Sequence, residues 1–276
     1  MAFEFEYIFA STIEQATKKY AEVERQNRYP AYYAGGTEII TLRRIDQLNV
    51  DVSIDVKQIA ACNIHQVDKE YFVIGSCITL TDIEELNYFP LLTDVCKEIA
   101  DRTARNKITI GGNICGNIFY REAVLPFLLT DSVLVLASEN GIRTEYIHDV
   151  FEEQLLLENG ELLVQAFIDK KYLSKEYIAI KVRQQWETGY PLITIAGLKI
   201  DGQVRVAISG LCPFPFRSLE LESLINNKTM RKEERIAEVI NHLPSPILND
   251  VEGSDEYRLF VLSELLEKVL DRLEGI

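Results

Sequence analysis

Metal-binding chemistry is what the sequence most visibly lacks. Its 276 residues include only three histidines, His65, His148 and His242, and five widely spaced cysteines with no C-x-x-C pair. No zinc, haem or iron–sulfur site is legible in that set. Cys62, Cys77, Cys96, Cys115 and Cys212 are read as reduced, buried thiols. Positive charge is also short, since 29 Lys plus Arg against 43 Asp plus Glu leave a net charge of −14. Phosphate backbones need clustered cations, so nucleic acid is excluded as a partner. No apolar run approaches membrane-spanning length, so no membrane association is expected. The first six residues alternate apolar side chains with acids and lack the basic and apolar regions of a signal peptide. The expected compartment is the cytoplasm. Two nucleotide fingerprints are missing too. There is neither G-x-G-x-x-G nor G-x-x-x-x-G-K-[ST], which weighs against a nicotinamide-binding Rossmann unit and against a kinase or ATPase.

What is present is a globular composition, 47% apolar and 26% charged, and two glycine turns. One is Ala34-Gly35-Gly36-Thr37-Glu38, and the other is Thr109-Ile110-Gly111-Gly112-Asn113. Each follows a β-like run and precedes a helix-like run. Glycine allows a tight bend and close approach to a ligand. The helix start that follows offers unpaired N–H groups and partial positive charge to an anion. A single such turn is an ordinary strand-to-helix connection. Two in matching contexts point to two adjacent phosphates, and so to a dinucleotide.

The rest of the chain reads as mixed α and β. Ser11-x-x-Glu14 has the form of a capping box for a helix running to about Arg25. Strands are expected at Ala31–Ala34, Val50–Val56, Tyr71–Gly75, Lys107–Ile110, Ser132–Ala137 and Glu161–Ile168. Helices are expected at Glu38–Leu42, from about Thr81, over Leu91–Ala104 and over Glu122–Thr130. Asn140-Gly141 and Asn159-Gly160 are hairpin signals. The texture changes near residues 172–175. A clear hairpin then joins Leu192–Ile200 to Val204–Ile208 through Asp201-Gly202, and two amphipathic helices follow over about Arg231–His242 and Asp255–Leu273. The second carries Leu259, Leu262, Leu266, Val269 and Leu273 on one face.

The pattern Ala-Gly-Gly-Thr-acid, followed about seventy residues later by Thr-Ile-Gly-Gly-Asn, resembles the FAD-binding medium subunit of the molybdenum hydroxylases. The stretch from Thr109 to Pro126 looks most like FAD subunits of bacterial xanthine dehydrogenases. The resemblance spans essentially the whole chain and implies an α+β fold. A two-subdomain PCMH-type FAD-binding domain is expected over 1–173, with subdomains of about 1–56 and 57–173. A small C-terminal domain of a three-stranded sheet with helices is expected over 174–276.

The resemblance implies that Ala34, Gly35, Gly36, Thr37, Glu38 and Ile39, with Thr109, Gly111, Gly112 and Asn113, hold the pyrophosphate of FAD. Glu122 takes the place of an Asp that contacts the flavin nucleotide in relatives; the alternative is a helix-start acid. Lys181 matches a Lys that approaches the flavin ring, against a solvated strand lysine. Tyr190 matches an aromatic that covers the isoalloxazine, against a core tyrosine. Ile99 and Leu163 are padding for ring or adenine, or plain core. Neither loop contains a His, so the FAD is expected to be non-covalent. The implied partners are a molybdopterin-binding large subunit and a small subunit with two 2Fe-2S clusters, with NAD or another molecule as acceptor. With no Ser-His-Asp set or metal ligands visible, an electron-transfer subunit fits better than a chain acting on the organic substrate itself. The rival readings are a stand-alone flavin oxidoreductase of the same fold and a scaffold subunit without FAD.

Overall fold

The computed structural model describes residues 6–184 and 189–275. It contains three sheets, laid down one after another along the chain.

The first sheet belongs to a unit of β1 (Glu6–Phe9), α1 (Ile13–Arg25), β2 (Pro30–Tyr33), α2 (Thr37–Arg44) and β3 (Val52–Asp55). The strands are parallel in the order β1-β3-β2. All four residues of central β3 are buried, as in a parallel strand covered on both faces. The helix α1 starts one residue later than the capping box from Ser11 implies. Thr12 is the N-cap, its hydroxyl accepting from the Gln15 N–H at 3.1 Å, and the Gln15 side chain accepts in return from the Ser11 N–H at 3.0 Å. Thr12-x-x-Gln15 has the same sequence form as Ser11-x-x-Glu14, but the return bond goes to the residue before the N-cap.

The second sheet is antiparallel, in the order β4-β5-β8-β6-β7. Its strands are β4 (His65–Val67), β5 (Tyr71–Gly75), β6 (Val133–Ser138), β7 (Gly141–Tyr146) and β8 (Leu162–Asp169). Between β5 and β6 lie α3 (Leu80–Leu86), α4 (Pro90–Cys96), α5 (Arg102–Arg105), α6 (Ile110–Cys115) and α7 (Leu125–Leu129), with α8 (Ile147–Val150) after β7.

Three expectations fail in this unit. The helix foreseen over Leu91–Ala104 is two helices, because Ala100 takes φ +49° and the Asp101 carboxylate caps α5 through the Ala104 N–H at 2.8 Å. Lys107–Ile110 is no strand; only an isolated bridge joins Thr109 to Thr79, and Ile110 already opens α6. Asn159-Gly160 makes no hairpin, since β8 pairs with β5 and β6 rather than with the segment before it. Of the five thiols, four are buried as expected, while Cys115 at the end of α6 is exposed.

The third sheet comprises β9 (Tyr177–Val182), β10 (Ile193–Ile200), β11 (Gln203–Ser209) and β12 (Phe216–Arg217), in the order β12-β11-β10-β9. The three expected strands are joined by a two-residue fourth, too short to show as a period in a stretch interrupted by Pro213 and Pro215. Behind it lie α9 (Leu219–Ile225), α10 (Lys232–Asn241) and α11 (Asp255–Glu274). Strict alternation on β10 serves two cores. Ile193 and Ile195 join the cluster of Leu262, Leu266, Val269 and Leu273 from α11, while Ala196, Leu198 and Ile200 join the core of the second unit.

That second contact has a polar clamp. Asp131, held at φ +47°, accepts from Arg205 and Arg217 at 2.6 Å each, and the same guanidiniums donate to the Leu129 and Leu128 carbonyls at the end of α7. Burial pushes the Asp131 carboxyl up, but the two arginines outweigh it and hold the group below its ordinary value. Asp131→Asn is expected to cost about 1–2 kcal/mol in urea unfolding at pH 7. The deficit should shrink as the pH falls below about 4, where the wild-type carboxylate takes up its proton and loses the same bonds. A constant deficit from pH 7 to 3 would rule out this origin.

Candidate functional site

The two glycine loops meet. A Cβ built on Gly35 would stand 1.8 Å from the Lys107 carbonyl oxygen and 3.4 Å from the Thr109 nitrogen. Only a residue without a side chain lets the first loop lie against the entrance to the second. Gly36 takes φ +68° as N-cap of α2, with the Tyr33 ring where its Cβ would be. No side chain caps α2. The N–H groups of Thr37, Glu38 and Ile39 therefore stay free of intrahelical acceptors, as in any first turn. Glu38 crosses to the second loop, where its carboxylate accepts from the Asn117 N–H at 2.7 Å and lies where a Cβ on Gly116 would be.

The second loop is built differently. Its N–H groups are largely taken: Ile110 donates to the Ile78 carbonyl, Gly111 to the Ser76 carbonyl, and Gly112 to the Thr109 hydroxyl at 3.2 Å. Gly111 is needed for packing, since its Cβ would fall 2.5 Å from the Cβ of Ser76. Asn113 is buried, and its side-chain oxygen accepts from the Ala123 N–H at 3.1 Å. That bond fixes the turn carrying Glu122 against the loop. The free donors for an anion thus lie on the first loop; Gly112 is exposed, but its N–H is held by the Thr109 hydroxyl in a long bond of 3.2 Å.

The remaining expected residues divide into three groups. Glu122 and Lys181 form a buried ion pair at 2.9 Å, each side chain 3% exposed. The second Glu122 oxygen accepts from the Thr194 hydroxyl at 2.5 Å, and Lys181 also donates to the Glu98 carbonyl at 2.8 Å. Burial raises the Glu122 carboxyl and lowers the Lys181 ammonium from their ordinary values, and the attraction between them opposes both shifts. Tyr190 is exposed and stacks on Tyr120, with ring centroids 4.7 Å apart and planes at 19°. Ile99 and Leu163 are buried in the core of the second unit. Leu163 lines a void of about 10 Å³, room for one water at most.

Two residues absent from the sequence reading belong here. Ser76 lies against Gly111, with its hydroxyl buried and unpartnered. Arg121 is 4% exposed and donates to the Gly116 and Glu153 carbonyls. A basic residue before Glu122 carries no sequence signal of burial. Ser76 also lines the small core void, and the Cβ positions of Gly35 and Gly116 are taken by the Lys107 carbonyl and the Glu38 carboxylate, so what these contacts leave for an anionic ligand is the uncapped start of α2 at the edge of the second loop.

The family model described as the FAD binding domain in molybdopterin dehydrogenase matches residues 3–169. The chain belongs to that family. As a member it is an oxidoreductase subunit whose cofactor is FAD. The glyceraldehyde dehydrogenase medium chain of Sulfolobus acidocaldarius is 24% identical, over 96% of this chain and 96% of its own length. The xanthine dehydrogenase FAD-binding subunit of Escherichia coli O157:H7 is 23% identical over 96% of this chain and 94% of its own. A chain of carbon monoxide dehydrogenase from Hydrogenophaga pseudoflava superposes with a TM-score of 0.87 at 19% identity, covering 100% of this chain and 99% of that one. That match shows the same α+β architecture. Among the described residues no helix is long and apolar enough to cross a membrane, and no cluster of metal-ligating side chains occurs.

Proposed function

We propose that this chain is the electron-transfer subunit of a xanthine dehydrogenase-like molybdenum hydroxylase, holding FAD non-covalently between its two glycine loops. The observation that carries the reading is the backbone contact of Gly35 with Lys107 and Thr109, which brings an uncapped helix start to the edge of the second loop. FAD bound there would supply the redox chemistry, as an electron carrier between 2Fe-2S clusters on a small partner chain and NAD or another acceptor. A molybdopterin-binding large subunit would carry the organic substrate, a purine in this reading, in the cytoplasm.

The chain's own part is to bind and orient. Thr37, Glu38 and Ile39 offer N–H groups to the pyrophosphate, which Ala34, Gly35 and Gly36 allow to approach. Thr109, Gly111, Gly112 and Asn113 set the opposite wall. Tyr190, exposed beside Tyr120, would cover the ring; Lys181 and Glu122 are a buried ion pair that would act on it only from beneath the surface, and Ile99 and Leu163 serve as core. The purified chain incubated with FAD and passed through gel filtration should elute yellow, with flavin bands in its visible spectrum. A purine or aldehyde alone should not bleach it. A colourless eluate would favour a scaffold subunit without FAD, and bleaching by an organic substrate alone would favour a stand-alone oxidoreductase.

A further inference from the structure

A polar network at the end of the first sheet reaches the first glycine loop. The parallel strands β1, β2 and β3 finish in register at Phe9, Tyr33 and Asp55. Open parallel sheets take their ligands at this carboxyl edge. The Asp55 side chain is 4% exposed, and its carboxylate accepts from the Tyr7 hydroxyl, from the Lys57 backbone N–H at 2.8 Å and from the Lys57 ammonium at 2.7 Å. The same ammonium donates to the Tyr7 oxygen at 3.2 Å and to the Ala34 carbonyl at 3.3 Å. It stands 4.6 Å from the centroid of the Tyr33 ring, which lies where a Cβ on Gly36 would be. Burial opposes both charges, but the pairing wins on each side: the Lys57 ammonium is held above its ordinary value and the Asp55 carboxyl below.

The loop itself has few bonds with which to fix its shape. No side chain caps α2, Gly36 is left-handed, and the contact of Gly35 with Lys107 only limits approach from one side. Before the turn, the Tyr33 carbonyl accepts from the Val56 N–H at 3.1 Å. After it, the Gly36 carbonyl accepts from the Ile40 N–H at 2.9 Å. Between them, the Ala34 carbonyl meets no backbone N–H among the described residues, and Lys57 supplies its donor.

We propose that Lys57 is a positioning residue for the first loop. Clamped by Asp55, it holds the Ala34 carbonyl and so sets the turn that aims the N–H groups of Thr37, Glu38 and Ile39. Its charge is already matched by Asp55, so its effect on an anion passes through the backbone rather than through direct attraction. The inference rests on the FAD reading above and names what keeps that site in shape.

Asp55→Asn separates the two routes, because they predict opposite signs. The variant leaves a positive charge beside the loop without its counter-charge and loosens the ammonium. Positioning predicts FAD binding weaker by about 10-fold, the size of one charge-assisted hydrogen bond, whereas direct attraction predicts tighter binding. Lys57→Met should weaken FAD by a similar factor, by as much at high salt as at low, since no screened charge on the ligand is lost. Lys57→Arg should restore affinity to within about threefold of wild type. Without ligand, the Ile40 amide should exchange faster in Lys57→Met, while Tm moves little because the Lys57 side chain is 43% exposed. That exposure also lets Lys57→Met carry the test if Asp55→Asn fails to fold. Wild-type FAD affinity in Lys57→Met would overturn the assignment, as would tighter binding in Asp55→Asn or an unchanged Ile40 exchange rate. Wild-type protein that binds no FAD, with faster Ile40 exchange in Lys57→Met, would instead overturn the FAD reading and leave Lys57 as the support of the loop.

Discussion

Gly35→Ala is expected to abolish FAD binding while leaving most of the fold in place. The new methyl would fall 1.8 Å from the Lys107 carbonyl oxygen, where no side-chain rotation can relieve the overlap because the obstacle is backbone. The two loops must part by more than an ångström. A pyrophosphate site set by hydrogen-bond lengths does not survive that displacement. The stability cost should be about 3 kcal/mol, the upper range for overpacking, because the loop edge can yield in a way that a core cannot. Gly202→Ala is the control. Gly202 takes a left-handed backbone, at φ +80°, which Gly35 does not, and nothing lies within 4 Å of its added Cβ. It should cost about 1 kcal/mol and leave FAD affinity untouched. Fluorescence titration with FAD, paired with urea unfolding of each variant, reads both effects. Wild-type affinity in Gly35→Ala would mean that the contact between the loops is irrelevant to the cofactor.

The difference between those two glycines shows what the sequence could carry and what it could not. Both sit in recognisable turns, and the hairpin around Asp201-Gly202 was legible because its flanks alternate strictly and pair locally. The glycine loops were legible as motifs, and the resemblance they carry led to FAD. Their mutual contact was not, since it joins residues about seventy positions apart through backbone atoms that no side-chain pattern records. The same holds for the second loop, where the Ser76 and Ile78 carbonyls occupy N–H groups that local reasoning leaves free. The break at Ala100 escaped because alanine in the left-handed region follows from tertiary packing, not from its propensity. Arg121 escaped for a similar reason. Burial is a property of the folded neighbourhood, and Tyr120-Arg121-Glu122 read alone is an ordinary polar stretch.

Lys181→Met should be the most damaging polar substitution at the junction between the second and third sheets, costing about 3–5 kcal/mol at pH 7. The ammonium is the charged partner of Glu122, and methionine would leave that carboxylate buried with only the Thr194 hydroxyl. The double variant Lys181→Met with Glu122→Leu should recover most of the loss, because a buried ion pair rarely outperforms a well-packed apolar pair of similar volume. The pH dependence separates this account from simple mispacking. Burial already raises the Glu122 carboxyl in the wild type, and removing the lysine takes away the attraction that opposes the rise. A group whose pKa is raised on folding favours the folded state below its unfolded pKa, and that advantage disappears as the pH climbs through the folded value. The gap between Lys181→Met and wild type should therefore narrow as the pH falls from 7 toward about 4, read by urea unfolding at each pH. A gap that stays constant would assign the damage to packing. The same variant, loaded with FAD, tests the role proposed for Lys181 beside the ring. A flavin potential equal to that of wild type would confine Lys181 to holding the two sheets together.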